Sequence, residues 1–118
     1  MGRITNDFVS TIEGSVFSNT GTTIIPPTDH VFVAITTLET TTFSNTLGLV
    51  AETSTRYAGT EDAAGDLAGG SETVNEGSGG EEILVGDSFP ASLTIYGRYT
   101  KITIASGSII AYYARDGK

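Results

Sequence analysis

Two stretches of the chain carry a β pattern. In residues 101–104, Ile102 and Ile104 alternate with Lys101 and Thr103, the two-residue period that turns one set of side chains inward and the other to water. Ser106-Gly107 interrupts the run, and Gly107 can take the positive φ of a tight turn. Ile109, Ile110, Tyr112 and Tyr113 then supply a return strand of β-forming residues, so the pattern predicts a hairpin. Residues 93–96 have a similar composition, and Gly97 marks a bulge or a close approach of another backbone, so a three-stranded C-terminal meander is expected. The second stretch is residues 30–38, in which Val31 to Ile35 is apolar at every position. That continuous run predicts a strand covered on both sides, in the middle of a sandwich.

The rest of the chain is less regular. In residues 1–21, Ile4, Phe8 and Ile12 fall four apart, as in a short amphipathic helix, but the Thr, Ser and Asn content equally suits an extended arm with a strand near residues 14–17. Asn19-Thr20-Gly21 signals a turn, and Pro26-Pro27 removes two backbone donors and stops any central strand. Phe43 is expected to point inward, residues 47–51 offer a short strand or a turn of helix, and residues 53–58 an exposed edge strand. Residues 83–87 return to strand character.

Residues 59–82 differ from everything around them. Seven Gly and seven Asp or Glu occur there with no Lys or Arg, too little apolar surface to offset the entropy of ordering, which predicts a flexible acidic surface loop. The whole chain, 118 residues, has room for one domain, expected to be all-β: an antiparallel β-sandwich or jelly-roll-like barrel with an N-terminal arm.

Composition narrows the chemistry. With no cysteine, disulfides, thiolate metal sites and cysteine nucleophiles are excluded. A net charge of −8, with only six Lys and Arg scattered singly, argues against nucleic acid or an anionic membrane as partner. Arg3, Asp7 and Glu13 interrupt any leader-like apolar run, and no stretch approaches the roughly 20 apolar residues of a membrane span.

Candidate catalytic groups are few. His30 beside Asp29 could act as a base, but a single histidine at the start of a buried strand more often packs its ring or bonds a carbonyl. The pairs Glu61-Asp62 and Glu81-Glu82 lack the rigid spacing of a glycosidase. Asp62, Asp66, Glu72 and Glu76 offer oxygen ligands for calcium, but in no recognised spacing. Gly69-Gly70 and Gly79-Gly80 have no Lys to complete a phosphate cradle. Neither catalysis, nor a cofactor, nor a specific metal site is therefore expected. Tyr96, Tyr99, Tyr112 and Tyr113 could stack on sugar rings, although their strand spacing better suits cross-strand pairs or a subunit interface.

The segment LTIYGRYTKITIASGSIIAYY, residues 93–113, resembles the ending of small virion structural proteins of marine, cyanophage-type tailed bacteriophages. These close with a YGR–aromatic–Thr element, an alternating strand, a small-residue turn and an apolar last strand. HVFVAITTLETTTF, residues 30–43, is similar to their upstream part, where an FVAI-type strand leads into a Thr-rich stretch ending in Phe. The two segments cover about a third of the chain; the acidic loop is not part of the pattern. The resemblance implies a capsid decoration or cement protein that binds the major capsid protein on the outer capsid surface of the virion, as a homo-oligomer. The alternative is a fibre- or tail-associated subunit that binds a host glycan. Ile4, Phe8, Ile12, Phe17, Tyr112 and Tyr113 are the expected interface residues, the first four because an arm so apolar needs a covering surface.

Overall fold

The computed structural model describes residues 11–52, 56–60 and 83–116. These form eight strands: β1 (Ile12–Ser18), β2 (His30–Thr37), β3 (Thr41–Phe43), β4 (Leu49–Ala51), β5 (Ser88–Phe89), β6 (Thr94–Ile102), β7 (Ile104–Ser106) and β8 (Ile109–Arg115). They make two antiparallel sheets, one in the order β1-β8-β2-β6-β4 and one in the order β5-β3-β7. The all-β expectation holds, in a form consistent with a sandwich. Phe32, Ile35, Leu49, Tyr99, Ile102 and Ile109 of the larger sheet share one buried cluster with Phe43 and Ile104 of the smaller. Val31 to Ile35 lies in the central strand of the larger sheet, as its continuous apolar run predicts.

The C-terminal hairpin and meander do not form. β7 pairs with β3 in the small sheet, whereas β8 pairs with β1 and β2 in the large one. The chain changes sheets at Thr103, whose N–H donates to the Gly48 carbonyl and whose own carbonyl accepts from Ser44 N–H. Because the strand bends there, Ile102, Thr103 and Ile104 are all buried, and the alternation read from the sequence is absent. Gly107 does take a positive φ, +98°, but at a corner between sheets. A Cβ there would collide with the Thr41 hydroxyl and the Thr40 carbonyl, so only glycine fits.

Two further elements differ from expectation. Residues 56–58 form a turn, in which the Ala58 carbonyl accepts the Tyr99 hydroxyl proton; residues 53–55 lie outside the described part. Leu84 and Val85 stay exposed in a turn closed by bonds between Leu84 and Asp87, and strand structure resumes only at Ser88. Of the expected arm, residues 12–18 are β1, paired along its length with β8, and residues 1–10 lie outside the described part. The acidic segment beyond Thr60, with Asp62, Asp66, Glu72 and Glu76, also lies outside it. Its two ends are close together: Ile83 N–H donates to the Gly59 carbonyl at 2.9 Å, and buried Thr60 exchanges bonds with Leu49 through its N–H and its hydroxyl.

Candidate docking face

Strand pairing fixes which side chains of the large sheet share a face. One row runs Gly14–Tyr113–Phe32–Tyr99–Ala51 across all five strands, and behind it runs Val16–Ala111–Ile35–Ile95. These rows face the small sheet. Tyr113 fits because Gly14 has no side chain, and any Cβ there would occupy the space of the tyrosine ring. Tyr99 is almost wholly buried, and burial pushes its phenol pKa up to about 12, so it is a neutral hydrogen-bond donor to Ala58.

The opposite face carries Phe17–Ile110–Thr36–Thr94, then Ser15–Tyr112–Ala34–Tyr96, then Ile12–Ala114–Val31. Phe17 is 58% exposed and Tyr96 66%, while Ile110 and Tyr112 are half-buried. Ala34, between the two tyrosine positions, is nearly covered. Paired strands lie about 4.8 Å apart, so a four-strand row spans about 14 Å. The Thr36 and Thr94 hydroxyls bond each other at 3.1 Å and leave few free polar groups on that row. The result is an apolar and aromatic platform on an outer sheet face.

The expected interface residues thus separate. Ile12, Phe17 and Tyr112 come together on the platform; Tyr113 turns the other way, against the core; Ile4 and Phe8 lie outside the described residues. Ile110 and Tyr96 complete the platform. Ile110 was not among the expected residues, although its two-residue phase with Tyr112 signals it.

At the margin of the sheet a polar cluster joins β1, β2 and β8. A bulge at Glu13 sets it outside the pairing register, and its carboxylate lies 2.6 Å from His30 Nε2 and 3.7 Å from Arg115 Nε. His30 Nδ1 lies 2.8 Å from the Thr28 carbonyl, and the ring packs edge-on against Tyr113. The Glu13 bond, then the Thr28 carbonyl, raise the His30 pKa; the His30 bond holds the Glu13 carboxyl below its ordinary value. A second cluster forms around Arg98, which lies with Gly97 in the bulge that Gly97 predicts in β6. Its guanidinium donates to Glu52 and to both the carbonyl and the carboxylate of Asp116, tying β6 to β4 and to the end of β8. Among the described residues no group of three or more His, Asp or Glu could hold a metal ion, and no helix is long and apolar enough to cross a membrane. No family model, curated protein or solved structure matches the chain.

Proposed function

We propose that the protein is a virion structural subunit, a decoration protein that binds the major capsid protein on the outside of the shell through the outer face of its large sheet. The observation that carries this reading is the platform of Phe17, Ile110, Tyr112 and Tyr96 around Ala34: rigid aromatic area with little rotamer entropy to lose on docking. Apolar side chains buried at a seam between shell subunits contribute about 1.5–3 kcal/mol each. A shell repeats the contact many times, so modest affinity per copy suffices.

The test is occupancy on purified particles. Phe17→Asp and Tyr112→Ser should each lower it at least about tenfold, the loss expected of an anchor residue, while the proteins stay folded. Full occupancy by both variants would overturn the assignment of this face. A second reading is favoured by the pairing of Tyr96 and Tyr112 across an alanine, which suits a sugar ring laid across two aromatic side chains. A fibre- or tail-associated glycan binder would be present in far fewer copies per particle than a shell decoration, so counting copies separates the two.

A further inference from the structure

β1 and β2 exchange no backbone bonds, because β8 runs between them, yet the Glu13–His30 contact joins them across β8. The chemistry of that contact is constrained. Both ring nitrogens of His30 face an oxygen that can only accept: a carboxylate at 2.6 Å and a backbone carbonyl at 2.8 Å. A neutral imidazole has one N–H and one lone pair, so in either tautomer it would set a lone pair against one of those oxygens. Only the doubly protonated ring makes both bonds. Of the groups around the ring, Glu13 from β1 and the Thr28 carbonyl favour that charge, Arg115 from β8 opposes it, and the Tyr113 ring stands T-shaped to it.

We propose that His30 is a proton-operated clasp that holds the bulged N-terminal end of β1 against the sheet, and that the clasp opens when the ring loses its proton. Among the described residues β1 is an edge strand, paired with β8 alone, so its N-terminal end depends on this contact more than an inner strand would. The platform residue Ile12 is adjacent to Glu13. On the docking reading given above, release of this end would also withdraw Ile12 from the platform.

The direction with pH follows from the two shifts. His30 has a raised folded pKa, so its contribution is complete below histidine's ordinary value of about 6.5 and is lost as pH rises through the raised value. Glu13 has a lowered folded pKa, so its contribution is present above the ordinary carboxylate range and is lost as pH falls through the lowered value. The clasp is therefore closed in mildly acidic solution and opens towards alkaline pH. Arg115→Gln removes an opposing charge and should move the His30 midpoint further up.

Nitrogen-15 NMR of the His30 ring and amide exchange of β1, from about pH 5 to about pH 9, test the clasp. The expected result is two protonated ring nitrogens at about pH 6, with a midpoint above the ordinary ~6.5. Protection of the β1 amides, corrected for intrinsic rates, should fall roughly three- to tenfold across the titration, a range that allows for solvent screening of a surface pair. Glu13→Gln and His30→Gln should flatten that pH dependence. A single neutral tautomer at about pH 6, a midpoint at or below ~6.5, or the same slope of β1 protection in His30→Gln would overturn the proposal. Particle occupancy over the same range is read separately: if the ring and β1 respond and occupancy does not, the clasp stands and Ile12 is no part of the docking contact, whereas the platform itself is tested by Phe17→Asp and Tyr112→Ser.

Discussion

The two sheets share one core but present opposite outer faces. On the small sheet, Thr42, Ser88 and Ser106 line up outward, and the Thr42 and Ser106 hydroxyls bond each other at 2.8 Å. On the large sheet the outward rows hold Phe17, Ile110, Tyr112 and Tyr96. An antiparallel sheet with one face in water normally alternates apolar-in and polar-out, as the small sheet does. The large sheet departs from that rule: on its outer face Val31, Ala34 and Ala114 are buried, while Phe17 and Tyr96 stay exposed. Exposed aromatic side chains beside covered ones are surface a partner could bury.

The largest perturbation would remove the common core and so erase the difference between the faces. Phe43 is fully buried, packs edge-on against Phe89 at 5.5 Å, and is the main side chain by which the three-residue β3 holds the small sheet to the large. Phe43→Ala should cost about 3–5 kcal/mol and lower the melting temperature by roughly 10 °C or more, as read by calorimetry. A loss below about 1 kcal/mol would mean that the small sheet is held by its hydrogen bonds and not by this contact.

One substitution made on both outer faces gives a sharper comparison. Ala34→Asp puts a carboxylate into the nearly closed space between Tyr112 and Tyr96, where little water reaches it; about 2–3 kcal/mol of destabilisation is expected. Thr42→Asp puts the same group on the polar face, where the change should stay within about 1 kcal/mol. Chemical denaturation midpoints decide it, and equal costs would show that the two faces are equally wet.

Much of this fold is legible in the sequence, and what is not has a physical cause. β2 and β8 announce themselves by apolar runs, and Phe43, Gly97 and Gly107 behave as their residue types suggest. The error over the hairpin arises because a positive-φ glycine after an alternating strand is the same local signal whether the chain doubles back within a sheet or turns a corner into another. Which outcome occurs depends on Thr103, buried by partners at Ser44 and Gly48 more than fifty residues away in the chain. Tyr112 and Tyr113 lie on different faces for a simpler reason: neighbouring residues in a strand point to opposite sides, so only one of them is on the platform. The phase of Ile109 and Ala111, both wholly buried, marks Tyr113 as the inward one. The irregular spacing near Ile12 is explained by the bulge at Glu13, which shifts the phase of β1 by one residue.

Smaller effects are expected from the hydroxyl pairs that both faces contain. Thr42→Val breaks the Thr42–Ser106 bond and Thr36→Val breaks the Thr36–Thr94 bond. On the small sheet, water replaces the lost partner, and the cost should be about 0.5–1 kcal/mol. On the large sheet the added methyl group extends the platform beside Ile110, so Thr36→Val should be closer to neutral in stability. The same change should raise particle occupancy if that row is the contact surface. Unchanged occupancy from Thr36→Val would place the docking contact elsewhere.

The smallest expected effect is that of salt, and its smallness is the point. The chain carries a net charge of −8, and seven of its fourteen acidic residues lie in residues 59–82. If that segment met a basic patch on a shell, the attraction would act over a screening length of about 8 Å at physiological ionic strength, falling to about 3 Å at 1 M. Binding would then collapse as salt rises. The rows Phe17–Ile110–Thr36–Thr94 and Ser15–Tyr112–Ala34–Tyr96 contain no charged residue, so docking through them involves little that salt can screen. Particle occupancy between about 0.05 and 1 M sodium chloride should change by less than about twofold, and sulfate, which strengthens apolar burial, should raise it. Replacing residues 61–82 by a short Gly-Ser linker, with Thr60 and Ile83 kept because they anchor the two ends, should leave both results unchanged. Release at moderate salt from the intact chain, together with retention after that replacement, would contradict docking by charge and by platform alike. Release at moderate salt and loss of binding on replacement would move the contact from the sheet face to the acidic segment.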